Sequence, residues 1–563
     1  MKHWFFLFMY VFILILSSVA FFFDAMFVAQ TISCIMNTGD FHAGLINAGI
    51  CLAITSLAAI LTIVNTYFQK QLENRTKLDI QQNILKSALE IQMKSYDEMG
   101  SGLIVTRLTA DIDNLSVRFT EFANKVVNIL RKLAYVVYIF FLNVWLGLFL
   151  VGTIVLTSIV YSVRVYYLKK YKPGVLSAAE KVNSKIIEVI RGVKDIKTLN
   201  CSENILEIMK KDQLTYNKKD NFEWYLGSSL YQISNIARYV CNFFFIFLCI
   251  FLMREYSLTP LIFYTCFIYK DNVLDFATIF GDLRITLGNA EVCASRIFSI
   301  ANPTYYEVDQ YGNETIEDFS GDIIFKNVKF SYDNKKDVLK NASFEILPRQ
   351  TVAFVGESGC GKSTIINLIA HLYTKKSGKI LFDNVPIENL SKDFIKNNIA
   401  VVNQFPYIFN ITIRDNFKII KPDITDEEIF ALCKETRILS HIKKLPNGLD
   451  SIIGEGGCQF SGGQRQKICI ARALARNVKI LIFDEATSAL DNSSQKEIMK
   501  VIENLKNRMT IILIAHRLST ITYADCIYLM NGGHIIAQGT HEELMQKSEY
   551  YQRLYNTDKT QSE

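Results

Sequence analysis

The sequence has no C-x-x-C pair among its twelve cysteines, which are scattered along the chain. That spacing suggests neither a disulfide framework nor a zinc site. Cys34, the one cysteine expected to face outward, has no second cysteine in its own loop. A strong charge of either sign is also missing, since the net charge is only +6 over 563 residues and the basic side chains are dispersed. Nucleic-acid binding would need them gathered into a patch, so no nucleic-acid partner is expected. No organellar targeting segment, internal repeat or low-complexity tract is evident, apart from a polar tail after Tyr555.

The most informative gap lies between Lys2 and Lys70, where there is no Lys or Arg at all. Half of all residues are hydrophobic, yet the charged ones crowd into particular segments, the mark of a membrane part joined to a soluble part. Residues 4–23 carry no charge, are longer than the apolar core of a signal peptide and lack a small-residue cleavage site. They read as a retained span. A second span fits near 45–67, with a connecting loop holding Asp24 and Asp40 outside.

Basic residues recur through 70–132, which belongs on the cytosolic side. The apolar run 133–163 is too long for one span and too short for two. The third span therefore starts near Glu121, the chain turns at 143–145, and the fourth runs to about 168. A second basic segment, 169–219, precedes two more apolar stretches at 225–253 and 257–280, separated in charge by Arg254 and Glu255. The expected architecture is an α-helical bundle of six spans over residues 1–302, with two long cytosolic loops and both termini cytosolic. A linker at 303–320 leads to a soluble α/β domain over 321–563.

Arg131, Lys132, Arg238, Lys270, Asp271 and Asp275 fall at the membrane ends of these spans. They either face a bundle interior or wet path, or sit where the helices extend into the cytosol. If they line a cavity, cations outnumber carboxylates, and an anionic or amphipathic substrate follows.

The soluble domain carries Gly356-Glu357-Ser358-Gly359-Cys360-Gly361-Lys362-Ser363-Thr364 between a strand-like run and a helix-like run. That is the context a phosphate loop requires. Glycines let successive N–H groups point at a β-phosphate, Lys362 adds a charge for the β- and γ-phosphates, and Ser363 offers a hydroxyl to Mg²⁺. A second apolar run, 478–483, ends in Asp484-Glu485, where one carboxylate suits Mg²⁺ and the other a water. Between them, Phe460-Ser461-Gly462-Gly463-Gln464 opens a helix and supplies a second anion site.

These motifs together resemble an ATP-binding cassette exporter half-transporter, and the resemblance covers nearly the whole chain. Residues 460–464 are similar to the family's LSGGQ signature with Phe in place of Leu. The resemblance implies a P-loop NTPase domain of the ABC type that binds ATP and Mg²⁺. It also implies a dimer in which Ser461, Gly463 and Gln464 of one chain close over the γ-phosphate held by the other. Tyr332 resembles the aromatic that stacks on adenine, Gln404 the glutamine that touches metal and water, and His516 the switch histidine at the γ-phosphate. Glu485 would direct hydrolysis. Ser488-Ala489-Leu490-Asp491 resembles the loop crossing the dimer interface, and Gly454-Glu455-Gly456 the segment meeting the membrane domain's cytosolic loops. Residues 102–111 are similar to an exporter coupling helix.

The partner is a second copy or a similar half-transporter, the setting a bilayer, and the function ATP-driven export of a small-molecule, lipid or peptide substrate. A bacterial cytoplasmic membrane is the expected location. The alternative is an ATP-gated membrane regulator or receptor subunit without transport; the intact hydrolytic set argues against it. The six spans argue against a soluble cassette protein of DNA repair or translation. No room for a peptidase domain precedes Trp4, which disfavours an exporter that cleaves its cargo's leader.

Overall fold

The computed structural model describes residues 3–255, 258–333, 336–454, 460–485, 490–514 and 521–562. The chain divides into two compact units, one of Met1–Ile91 and Tyr96–Glu307, the other of Gln92–Ser95 and Val308–Glu563.

The first unit is helical. Its principal helices are Trp4–Ser33, Phe41–Ala88, Ile112–Leu142, Val144–Arg191, Ser202–Glu255, Pro260–Leu274 and Phe276–Ile300. Among the described residues, four helical segments, Trp4–Met36, Phe41–Ala88, Val144–Arg191 and Ser202–Glu255, are long and apolar enough to cross a membrane. Their outward faces carry Phe5, Phe8, Leu52, Ile63, Phe243 and Phe247, all exposed in the chain by itself. A helix that is apolar all round is built for lipid. Ile112–Leu142 differs, because Arg118, Glu121, Lys125, Arg131 and Lys132 lie along it. It packs against Phe276–Ile300, while Trp4–Ser33 lies along Phe41–Ala88 and Val144–Arg191 along Ser202–Glu255.

Three junctions show how the sequence sets these lengths. The expected loop holding Asp24 is absent: the first helix runs through Asp24 to Ser33. Asp24 is tolerated there because the Thr55 hydroxyl on the next helix donates to it at 3.0 Å. The turn at 143–145 is a break at Asn143, whose Oδ1 accepts the N–H groups of Trp145 at 3.0 Å and Leu146 at 3.2 Å. That is helix capping by a side chain that competes well with the backbone. The stretch 257–280, read as one span, is instead two helices that meet at Asp275, which pairs with Arg238.

The second unit is α/β. Its strands are β1 (Ile323–Phe330), β2 (Leu339–Ile346), β3 (Thr351–Val355), β4 (Ser377–Phe382), β5 (Val385–Pro386), β6 (Ile399–Val402), β7 (Ile411–Thr412), β8 (Ile452–Ile453), β9 (Ile480–Asp484), β10 (Thr510–Ile514), β11 (Cys526–Asn531) and β12 (His534–Gly539). One sheet has the order β2-β1-β4-β5 and another β12-β11-β3-β10-β9-β6. In the larger sheet β11, β3, β10, β9 and β6 run parallel, and β3 and β10 are buried at every position. Continuous apolar runs are what a parallel strand covered on both faces demands. Phe354 pairs with Ile514, Ile514 with Asp484, and Val402 with Phe483. The carboxyl ends of four strands therefore share one edge, which is where ligands bind in open parallel sheets.

Residues 308–320 pack with this unit: Gly312 N–H donates to Leu390 O at 3.0 Å, and Phe319 is buried in its core.

Candidate phosphate and nucleotide site

β3 delivers the chain into the loop 356–361 and the helix Lys362–Ile369 follows. Gly361 caps that helix at φ 105°, in the left-handed region, and a Cβ there would come within 2.8 Å of Leu339. Only glycine meets both demands. Lys362 is buried, and its Nζ donates to Gly356 O at 2.8 Å and Glu357 O at 3.0 Å. The lysine thus braces the loop from inside. Cys360 is buried beside it, and burial pushes its thiol above the ordinary range, so it is packing rather than a nucleophile. Glu357, Ser358 and Gly359 complete the loop, with Cys360 N–H donating to Glu357 O at 3.3 Å.

Strand β9 brings Asp484 to the same place, where the Ser363 hydroxyl approaches its Oδ1 at 3.4 Å. The Asp484 carboxyl is raised above the usual range, first by burial and then by the neighbouring Glu485 charge. Its ionised form is therefore a cost to the folded chain at neutral pH. Asp484→Asn is expected to raise the melting temperature measured at pH 7 without Mg²⁺. The gain should shrink as pH falls and the native carboxyl takes up its proton. A gain that stayed constant with pH would refute this account.

Glu485 has φ 48°, unusual for a residue with a Cβ, and its N–H is held by Ile514 O at 3.1 Å. Such a left-handed residue is retained only where the surroundings fix it. Gln404 lies two residues beyond β6, beside β9, and is half-buried. The hydroxyl of Tyr332 meets Thr364 Oγ1 at 3.1 Å, and its ring is gripped edge-on by Phe330 and Tyr373. Tyr332, Thr364, Lys362, Ser363, Asp484 and Glu485 thus gather on one side of the domain.

The segment 461–464 forms a second focus. Ser461 caps the helix Gly462–Leu474 in a reciprocal box, accepting from Gln464 N–H at 3.3 Å while Gln464 Oε1 accepts from Ser461 N–H at 3.0 Å. Gln464 Nε2 also meets His441 Nδ1 at 3.3 Å, a contact without a sequence signal. Gly463 faces Ser494, where a Cβ would lie 2.7 Å from Ser494 Cβ. Gly463→Ala is expected to cost about 1–3 kcal/mol of stability by overpacking. Adding Ser494→Gly should return most of it in a double-mutant cycle of thermal unfolding.

Gln466, buried in the same helix, donates to Asn403 O at 3.2 Å and so ties this helix to the residue before Gln404. The Q-R-Q continuation of the signature was its sequence signal. No hydrogen bond or ion pair joins 461–464 to 356–364 among the described residues. His516, Ser488, Ala489, Glu455 and Gly456 lie outside the described residues. Leu490 and Asp491 are described, and Asp491 caps the following helix through Ser494 N–H at 3.1 Å.

Comparison with known proteins places both units. Residues 339–488 match the family model for the ABC transporter, and residues 7–269 that for the ABC transporter transmembrane region. The chain therefore belongs to the ABC transporter family, with the membrane region ahead of the ATP-binding domain. It is 30% identical over 528 residues to the multidrug resistance-like ATP-binding protein MdlB of Buchnera aphidicola, covering 90% of this chain and 88% of that one. It is 29% identical to an ATP-dependent lipid A-core flippase of Haemophilus influenzae, over 91% of this chain and 87% of the relative. The fold matches a bacterial Atm1-family ABC exporter solved with ATP bound, at TM-score 0.85, 20% identity and 97% coverage of each chain. The protein is an integral membrane exporter that binds ATP and couples its hydrolysis to transport.

Proposed function

We propose that two copies of this chain, or one copy and a similar half-transporter, form two composite ATP sites. In each, Lys362 and the N–H groups of 356–364 hold the β- and γ-phosphates while Tyr332 stacks on adenine. Ser461, Gly463 and Gln464 of the other chain cover the γ-phosphate. The donors that would hold Mg²⁺ are Ser363, Asp484 and Gln404, oxygen ligands of the kind this hard cation takes. When bound, the metal neutralises charge on the β- and γ-phosphate oxygens. Glu485 polarises the attacking water and His516 contacts the γ-phosphate. Six crossings over 1–302, a linker at 303–320 and a nucleotide-binding domain over 321–563 complete the reading.

The observation that carries the composite site is that no hydrogen bond or ion pair joins the two anion-binding elements, 356–364 and 461–464, among the described residues. Each is half of a site. The test mixes two inactive variants, Lys362→Met and Ser461→Phe, in proteoliposomes. If the sites form between chains, about half of the dimers are mixed, each holds one intact site of its two, and hydrolysis returns to about a quarter of the wild-type rate. If each chain carried its own site, the mixture would stay inactive and the proposal would fail.

The cargo is a hydrophobic, amphipathic or peptide molecule, and the lipid A-core flippase among the relatives favours an amphipathic one. The bacterial relatives support a bacterial cytoplasmic membrane, and the Lys/Arg-free stretch 3–69 supports cytosolic termini.

A further inference from the structure

The membrane unit holds a cluster of charges that does not balance itself. Arg131 and Lys132 lie on helix Ile112–Leu142, Arg238 on Ser202–Glu255, and Asp275 at the break between Pro260–Leu274 and Phe276–Ile300. The ammonium of Lys132 feels the charges of Asp275, Arg131 and Arg238. Three cations thus face two carboxylates, Asp275, already paired with Arg238, and Asp24, whose charge reaches Tyr135 as Arg131's does and which accepts from the Thr55 hydroxyl. Elsewhere in this unit several cations meet carboxylates of their own, as in Arg118 with Glu121 and Arg296 with Glu180.

Lys132 is only 4% exposed and makes no hydrogen bond or ion pair among the described residues. Arg131 spends one guanidinium nitrogen on Asn128, at 2.7 Å, and its Nε is buried with no partner. Burying an ammonium and a guanidinium without acceptors costs several kcal/mol unless an anion completes them. Arg131 also lies over the ring of Phe21, 5.7 Å from its centroid, which fixes the guanidinium beside an apolar wall.

Toward the Asn143 turn, one turn of helix beyond Lys132, the cluster is closed by aromatics. Tyr135 stacks on Phe22 at 5.3 Å between centroids and lies 4.7 Å from Tyr269, whose hydroxyl donates to Phe22 O. Arg131, whose charge reaches Tyr135 and whose guanidinium lies over Phe21, therefore borders this packed aromatic cluster.

We propose that Arg131, Lys132 and Arg238 form a subsite for an oxyanion, a phosphate or carboxylate group on an amphipathic substrate, with the Phe22, Tyr135 and Tyr269 rings against its apolar part. The inference rests on the export reading only in calling the ligand a substrate. Binding needs no ATP, so its failure and the failure of the hydrolytic site would be told apart.

The test is the melting temperature of the purified full chain in a neutral detergent, titrated with dodecyl phosphate, dodecyltrimethylammonium or inorganic phosphate. Because phosphate also meets the loop 356–364, the readout is the part of the shift that depends on Lys132. Dodecyl phosphate is expected to raise the melting temperature of the wild type. Lys132→Met should require at least about ten-fold more of it, the loss of one charge-assisted hydrogen bond, and Lys132→Arg should stay within about three-fold. Arg131→Gln should shift the titration in the same direction, which keeps the test open if Lys132→Met does not fold. A Lys132-dependent response to inorganic phosphate as large as that to dodecyl phosphate would identify a free anion as the source rather than an amphiphile's headgroup. An unchanged titration in both variants, or an equal response to dodecyltrimethylammonium, would overturn the proposal.

Discussion

Replacing Glu485 by Gln is expected to lower ATP turnover by about 10²–10⁴-fold while ATP binding persists, the loss typical of removing a general base. The substitution keeps size and backbone preference, so the left-handed turn at φ 48° and the bond from Glu485 N–H to Ile514 O stay in place. What it removes is the charge beside Asp484. That charge raises the Asp484 carboxyl, so the same variant should also ease the carboxylate repulsion and raise thermal stability slightly. Phosphate release and nucleotide binding measured side by side decide the matter. Unimpaired turnover would sink the assignment, and so would loss of binding in step with turnover.

The second large effect is the converse. Lys362→Met should weaken ATP binding by about ten- to a hundred-fold, because a buried charge-assisted contact to phosphate is worth about 1.5–3 kcal/mol. The loss has a structural share as well. Gly356 O and Glu357 O both accept from this ammonium, and methionine leaves them without it. Lys362→Arg keeps the charge but not the compact point donor, so it should recover stability better than affinity. A nucleotide-binding titration paired with thermal unfolding separates the two shares. Equal affinity in Lys362→Met would overturn the role given to the loop.

Much of the nucleotide domain was legible because its signals are local. An apolar run such as 352–355 that ends at Gly356 has few alternatives to a buried strand, and the acidic pair at 484–485 follows another. The parallel register then carries the loop, the pair and Gln404 to one edge. What escaped sequence reading depends on partners far along the chain. Asp24 sits inside a helix because Thr55 satisfies it, and the last apolar stretch breaks at Asp275, where Arg238 pairs with it from another helix. The bond from Gln464 to His441 and the fit of Gly463 against Ser494 are likewise tertiary, invisible to periodicity.

The continuous helices of the first unit have a mechanical consequence. Phe41–Ala88 and Val144–Arg191 contain 48 residues each and Ser202–Glu255 contains 54. At 1.5 Å per residue the shorter two are rods of about 72 Å, against a hydrocarbon core of about 30 Å. More than half of each rod therefore stands clear of the membrane core. A tilt of about 5° at one end of such a rod carries the other end through roughly 6 Å, slightly more than one helical pitch. Such a lever turns a rotation small enough to leave most side chains in their rotamers into a displacement that exchanges one turn of contacts for the next.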